Sequence, residues 1–225
     1  MRDDSVRMLG GTCSILVGLS YVVAGIAYLL MPVPQQTWAD PGAYLSSFAQ
    51  DPMMSTIENW ALALGALCAL AVVPAVSQRV RSANEGWVRW TSTLALSGFA
   101  VAAVQYFRYL ALHPARAAAY IAADPGTKAA IAANQYMMLL DPFGWLTYGG
   151  VGSFFLVANV LALQRGIWPR SLASVGIAGG IAYWLLLAGG VLRLEMLMTI
   201  AVALGVIMAP IWYVWAGLIL RRASP

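Results

Sequence analysis

Six apolar stretches, each close to the length of a bilayer crossing, restrict this chain more than any other feature. They run Leu9–Met31, Trp60–Val76, Trp87–Leu112, Phe143–Leu163, Leu172–Leu192 and Met196–Leu220. Crossing about 30 Å of hydrocarbon takes about 20 helical residues. A helix satisfies its own backbone groups, which lipid cannot do. The expected fold is therefore all-α. It is a polytopic membrane protein with six transmembrane helices in one domain over residues 1–225, and with short helices in its two long outer loops.

Composition agrees. The chain is 61% hydrophobic and 10% charged, against about 45–50% and about 25% in soluble domains. It could not cover a water-facing surface, and its mean hydropathy is +0.74. The first stretch follows "MRDDSVR" but is too long for a signal-peptide core of about 7–15 residues and lacks a clear A-x-A site, so a retained helix is expected. The net charge of +4 comes from 13 Lys and Arg against 9 Asp and Glu. These cations form no basic stripe, so nucleic acid is not an expected partner. They read as a topology signal instead. With the N-terminus in the cytoplasm, Arg2, Arg7, Arg79, Arg81, Arg89, Arg165, Arg170, Arg221 and Arg222 lie inside, while Arg108, Arg116, Lys128 and Arg193 lie outside. That asymmetry predicts two cytoplasmic termini.

The outer loops carry local signals. In "DPGAYLSSFAQDP", Asp40 and Pro41 look like an N-cap and first helical position, with Tyr44, Leu45 and Phe48 on one face. "HPARAAAYIAADPG" reads as a second short helix, with His113 capping the end of the preceding span. A fresh helix is expected from Thr127, running into the fourth span with a kink at Pro142. Pro210 is expected to bend the sixth span.

Few residues carry chemistry. Cys13 and Cys68 both fall in apolar runs and read as small core residues. One histidine cannot give bis-His haem ligation or a multi-histidine zinc site. There is no GxSxG, HExxH or Gly-rich phosphate loop, so neither metal nor cofactor is expected. The polar candidates cluster by depth: Arg108 and Gln105 on one helix face, with Glu58, Asp141, Arg193 and Glu195 at the same outer level, and Asn134 and Gln135 nearby. An inward Arg108 would need a counter-charge from Glu58 or Asp141. The alternative is an interfacial arginine flanked by Tyr106 and Tyr109 in the aromatic belt. Trp184, Trp212 and Trp215 lie deeper than the belt tryptophans; ordinary bundle packing accounts for them, and they also mark the best place for a lipophilic ligand to lodge.

Between residues 148 and 192, "YGGVGSFFLVANVLALQRGIWPRSLASVGIAGGIAYWLL" resembles the fourth and fifth spans of a bacterial six-helix membrane family catalogued only as a domain of unknown function. That family joins two Gly-rich helices through an Arg-Ser-Gly-x-x-Pro-Arg type hairpin. Gln164-Arg165-Gly166-Ile167-Trp168-Pro169-Arg170 matches it, with Arg where the family often has Ser and Ala173 where Gly is usual. The resemblance implies the six-helix fold and a bacterial inner-membrane setting, and it brings no activity or binding residues. The hairpin also has its own physics, with Gly149, Gly150 and Gly152 and then Gly176, Gly179 and Gly180 allowing close helix approach.

Two functions fit these features. One is a non-enzymatic bundle that binds or passes a small or lipophilic molecule through an outward-facing polar pocket. The other is an accessory or scaffold subunit docked on a membrane protein partner. A membrane enzyme acting on a lipid is the weaker third. Membrane lipids are expected partners in each case.

Overall fold

The computed structural model describes residues 2–36, 40–134 and 139–222. Its helices in chain order are α1 Arg2–Leu30, α2 Val33–Gln36, α3 Pro41–Gln50, α4 Met53–Val80, α5 Glu85–Ala122, α6 Pro125–Ala133, α7 Val151–Arg165, α8 Arg170–Leu192 and α9 Glu195–Arg221. A π-helical turn, Trp145–Gly150, opens α7. Six of these helices are long and apolar enough to cross a membrane, and no strand forms among the described residues. The all-α, six-span architecture is as expected.

Each spanning helix packs against the spans before and after it in sequence: α1 on α4, α4 on α5, α5 on α7, α7 on α8, and α8 on α9. The last helix then closes the circuit on the first. The helices therefore form a ring in sequence order. Short connections make sequence neighbours antiparallel, so both termini sit at one end of the ring, the terminal end. The connections holding α2, α3 and α6 sit at the other, the loop end. Antiparallel closure shows in the contacts of α1 with α9, where Gly11 meets Gly217, Gly18 meets Val214 and Gly25 meets Val206. Without interhelical water to expel, such contacts depend on small residues that let backbones approach.

Several local expectations hold. The Asp40 side chain accepts from the Gly42 and Ala43 N–H groups and caps α3, with Pro41 in its first turn. Tyr44, Leu45 and Phe48 are buried against α5 together with Ala117. The turn after α8 is tight: Arg193 takes a left-handed conformation, φ 56°, and the Leu194 N–H reaches back to the Gly189 carbonyl.

Others are corrected. The segment after Pro114 is no separate helix; α5 runs 38 residues without a break, about 57 Å at 1.5 Å per residue. Proline removes one backbone donor at a cost of about 3 kcal/mol, which burial of His113 and Ala117 beneath α3 offsets. His113 consequently lies inside a helix and does not cap one. It is 3% exposed, with its ring against Tyr44, Phe48 and Tyr109. The helix expected from Thr127 is the short α6, capped by Asp124 and ending at Ala133, so it does not run into the fourth span. That span starts at Trp145, after a non-helical elbow with Gly144 at φ 78°, and Pro142 lies ahead of it. The second span starts at Met53, two turns before Trp60, and so includes Glu58.

Candidate functional site

Within the ring lies a partly open cavity of about 190 Å³ with lining residues from all six spans. Its floor, toward the terminal end, is an aromatic layer. Phe155 and Trp212 pack with ring centroids 4.5 Å apart, and Trp168 stands edge-on to Trp212 at 6.4 Å. Most of the wall is Ala, Val, Leu and Gly. Tyr21, Tyr106, Tyr148 and Tyr183 supply most of its polar atoms, from α1, α5, the π-turn and α8. At 1.5 Å per residue these tyrosines stand about 20–30 Å from the terminal end of their helices, in the half of the span nearer the loops.

The empty space traces to particular residues. A Cβ on Gly179 would find only the Phe155 Cδ1, at 3.9 Å, and one on Gly205 would meet nothing within 4 Å. Elsewhere the glycines close the ring. A Cβ on Gly98 would fall 2.3 Å from the Leu146 carbonyl oxygen, and one on Gly176 would fall 2.2 Å from the Asn159 Cγ. Asn159 is fully buried, and its position is fixed by two bonds. Its Nδ2 donates to the Phe155 carbonyl at 2.8 Å, and its Oδ1 accepts from the Trp212 indole N–H at 2.9 Å. One polar side chain thus ties α7 to α9 and orients a wall residue of the cavity.

The phenols are incompletely satisfied. The Tyr21 and Tyr183 hydroxyls bond to each other at 2.9 Å, and the Tyr21 ring stacks on Tyr213 at 5.9 Å. Among the described residues, Tyr106 and Tyr148 have no hydroxyl partner. The Tyr213 hydroxyl is buried and also unpaired. Tyr106 is half-buried and Tyr148 is 37% exposed, so their hydroxyls are accessible to a ligand or water, whereas the buried Tyr213 hydroxyl carries a cost of about 1–3 kcal/mol.

The polar residues singled out in the sequence lie elsewhere. Arg108 is half-buried on α5, and the one ion pair among the described residues is Arg7 with Asp4, so Arg108 pairs with neither Glu58 nor Asp141. Asp141 and Gln105 instead build the elbow before the fourth span. Asp141 accepts from the Trp145, Leu146 and Thr147 N–H groups and from the Thr147 hydroxyl, while the Gln105 Oε1 accepts from the Leu140 N–H at 2.7 Å. A carboxylate at a helix start satisfies donors that have no intrahelical partner. Glu58 is half-buried in α4, Arg193 is exposed in the turn after α8, and Asn134 is exposed at the end of α6. Gln135 and the side chain of Glu195 fall outside the described residues. None of Arg108, Gln105, Glu58, Asp141 and Arg193 lines the cavity. Of the deep tryptophans, Trp212 lines it, Trp215 packs half-buried against the core, and Trp184 is 41% exposed on the outer face of the ring.

The cavity tyrosines are not among the candidates that the sequence offers. Tyr21 and Tyr183 sit in the middle of their spans, where the interfacial belt that explains most membrane tyrosines cannot place them. That depth was the available signal. Tyr106 carried none, because two residues from Arg108 it looks like a belt residue.

The ring of six apolar helices defines the class: a six-span α-helical membrane protein with a cavity among its spans. Residues 15–217 match the family described as Domain of unknown function (DUF4386), and the chain belongs to that family. No curated protein and no solved structure matches it.

Proposed function

We propose that this protein binds, and in doing so carries or senses, a small lipophilic molecule held in the ring cavity. The observation that supports this most directly is the cavity itself, an apolar space that every span helps to line, with hydroxyl groups gathered on its wall. Ligand sites are commonly of this kind, mostly apolar with a few convergent polar groups. The lining holds no carboxylate, imidazole, thiol or amine, which favours binding over catalysis. The polar recognition surface is then the tyrosine cluster inside the ring, in place of the charged residues at the loop end.

Orientation in the bacterial cytoplasmic membrane belongs to the same proposal. The terminal end of the ring carries Arg79, Arg81, Arg165, Arg170, Arg221 and Arg222, and such an excess favours a cytoplasmic location. The cavity would then lie nearer the outer leaflet.

Native mass spectrometry after gentle extraction tests the binding. The expected result is a retained small molecule that is lost in Gly179→Leu, a variant whose side chain grows into the cavity. A stoichiometric protein partner with no retained molecule would instead support an accessory subunit and overturn this proposal. Cysteine placed at Ser46 in a Cys-free background should react with an impermeant maleimide in intact cells, while cysteine at Ser82 should not.

A further inference from the structure

The balance of donors and acceptors on the cavity wall narrows the ligand class. In the Tyr21–Tyr183 pair either hydroxyl can donate; whichever does, the other keeps its own hydrogen. The hydroxyls of Tyr106 and Tyr148 are unpaired among the described residues. Among the described residues three phenolic hydrogens therefore have no acceptor around one apolar space, with the Ser20 hydroxyl also on the wall. Phenol oxygens also accept, but each unpaired group gains most from a partner that takes its proton into a directed bond. No cationic side chain lines the cavity to offset an anion, and no carboxylate lines it to hold a cation.

Size adds a second limit. A dry cavity of about 150 Å³ admits benzene, so this one, at about 190 Å³, has room for a single or fused ring. The aromatic floor of Phe155 and Trp212 gives such a ring a face to pack on.

Resting on the binding proposal above, we infer that the ligand is a neutral ring-bearing carbonyl compound, of the quinone or aryl-ketone class, whose oxygens accept hydrogen bonds from Tyr106 and Tyr148. The apolar body fills the space that Gly179 and Gly205 leave open, and the carbonyl oxygens meet the two unpaired phenols. The Tyr21–Tyr183 pair stands beside them with a third hydrogen.

The test uses the full chain in mild detergent and three probes of similar shape: 1,4-naphthoquinone, naphthalene and 1-naphthoate. Binding is measured by calorimetry and by the shift in melting temperature. Naphthoquinone should bind about tenfold or more tighter than either of the others, as expected from two added neutral hydrogen bonds. Tyr106→Phe with Tyr148→Phe keeps both rings and should cut that preference to less than about threefold, with naphthalene bound at least as tightly as before. Each single change should remove part of it, which serves if the double variant does not fold. Equal binding of naphthalene or naphthoate, or a preference that survives the double change, overturns the carbonyl assignment. If naphthalene still binds and Gly179→Leu abolishes it, the binding proposal stands and only its ligand class falls. If no probe binds and no molecule is retained on extraction, both fall.

Discussion

Replacing Asn159 by alanine should loosen the ring more than any other single polar change. The amide is fully buried, and its Oδ1 accepts the Trp212 indole N–H at 2.9 Å across α7 and α9. An interhelical hydrogen bond between membrane helices averages about 0.6 kcal/mol and reaches about 1.7. Here the loss is larger, because the change also leaves the Trp212 N–H without a partner in a dry core, at about 1–3 kcal/mol. The Nδ2 bond to Phe155 is local to α7 and adds little. Together the terms come to about 2–3 kcal/mol. For a chain of this length each kcal/mol moves the melting temperature by about 2–4 °C, so a fall of roughly 5–10 °C in detergent is expected by circular dichroism. Gly176→Ala should behave similarly, because its Cβ would sit 2.2 Å from the Asn159 Cγ and displace the amide. A double-mutant cycle with Trp212→Phe isolates the bond, with an expected coupling of about 1 kcal/mol. A fall below about 1 °C for Asn159→Ala, or a coupling near zero, refutes the idea that this amide holds α7 against α9.

Arg108 has no ion pair among the described residues, so Arg108→Leu should change unfolding free energy by no more than about 0.5 kcal/mol; a larger loss in an SDS titration would point to a partner. Arg193 holds a left-handed conformation, φ 56°, which costs a side chain about 1–2 kcal/mol. Arg193→Gly should therefore raise the melting temperature slightly, and a fall would mean that the side chain has a role beyond the turn. Outside the membrane, the hydroxyl of Thr127, followed by its backbone N–H, holds the carboxyl of Asp124 below its usual range. A lowered value means that the cap on α6 is present at neutral pH and lost as the pH falls through it. Amide exchange across Thr127–Ala133, corrected for intrinsic rates, should accelerate in acid, and Asp124→Asn should remove that pH dependence.

The sequence by itself determined the helices. Apolar length set the six spans, and Asp40 with Pro41 marked the start of α3, because a cap depends on a few neighbouring residues. It also supplied the charge asymmetry that orients the proposal in the membrane. Pro114 misled because the penalty it signals is local, whereas the compensation comes from α3, packed on α5 from another part of the chain. Arg108, Glu58 and Asp141 share a depth, and depth can be counted along a helix; whether side chains meet depends also on how each helix is rotated, which counting does not give. Asp141 found its partners in its own elbow.

Only the tertiary structure decided that the spans form a ring and that the ring has a hollow. Gly176 and Gly179 stand on the same helix, three residues apart, and look alike in the sequence. One presses against Asn159, whereas the other faces open space. The difference lies in the helix opposite. Tyr21 and Tyr183 are likewise ordinary residues until closure of α9 on α1 brings their hydroxyls within 2.9 Å across 162 positions of sequence. A cavity is the absence of side chains from several helices at one point in space, and no local sequence pattern encodes that coincidence.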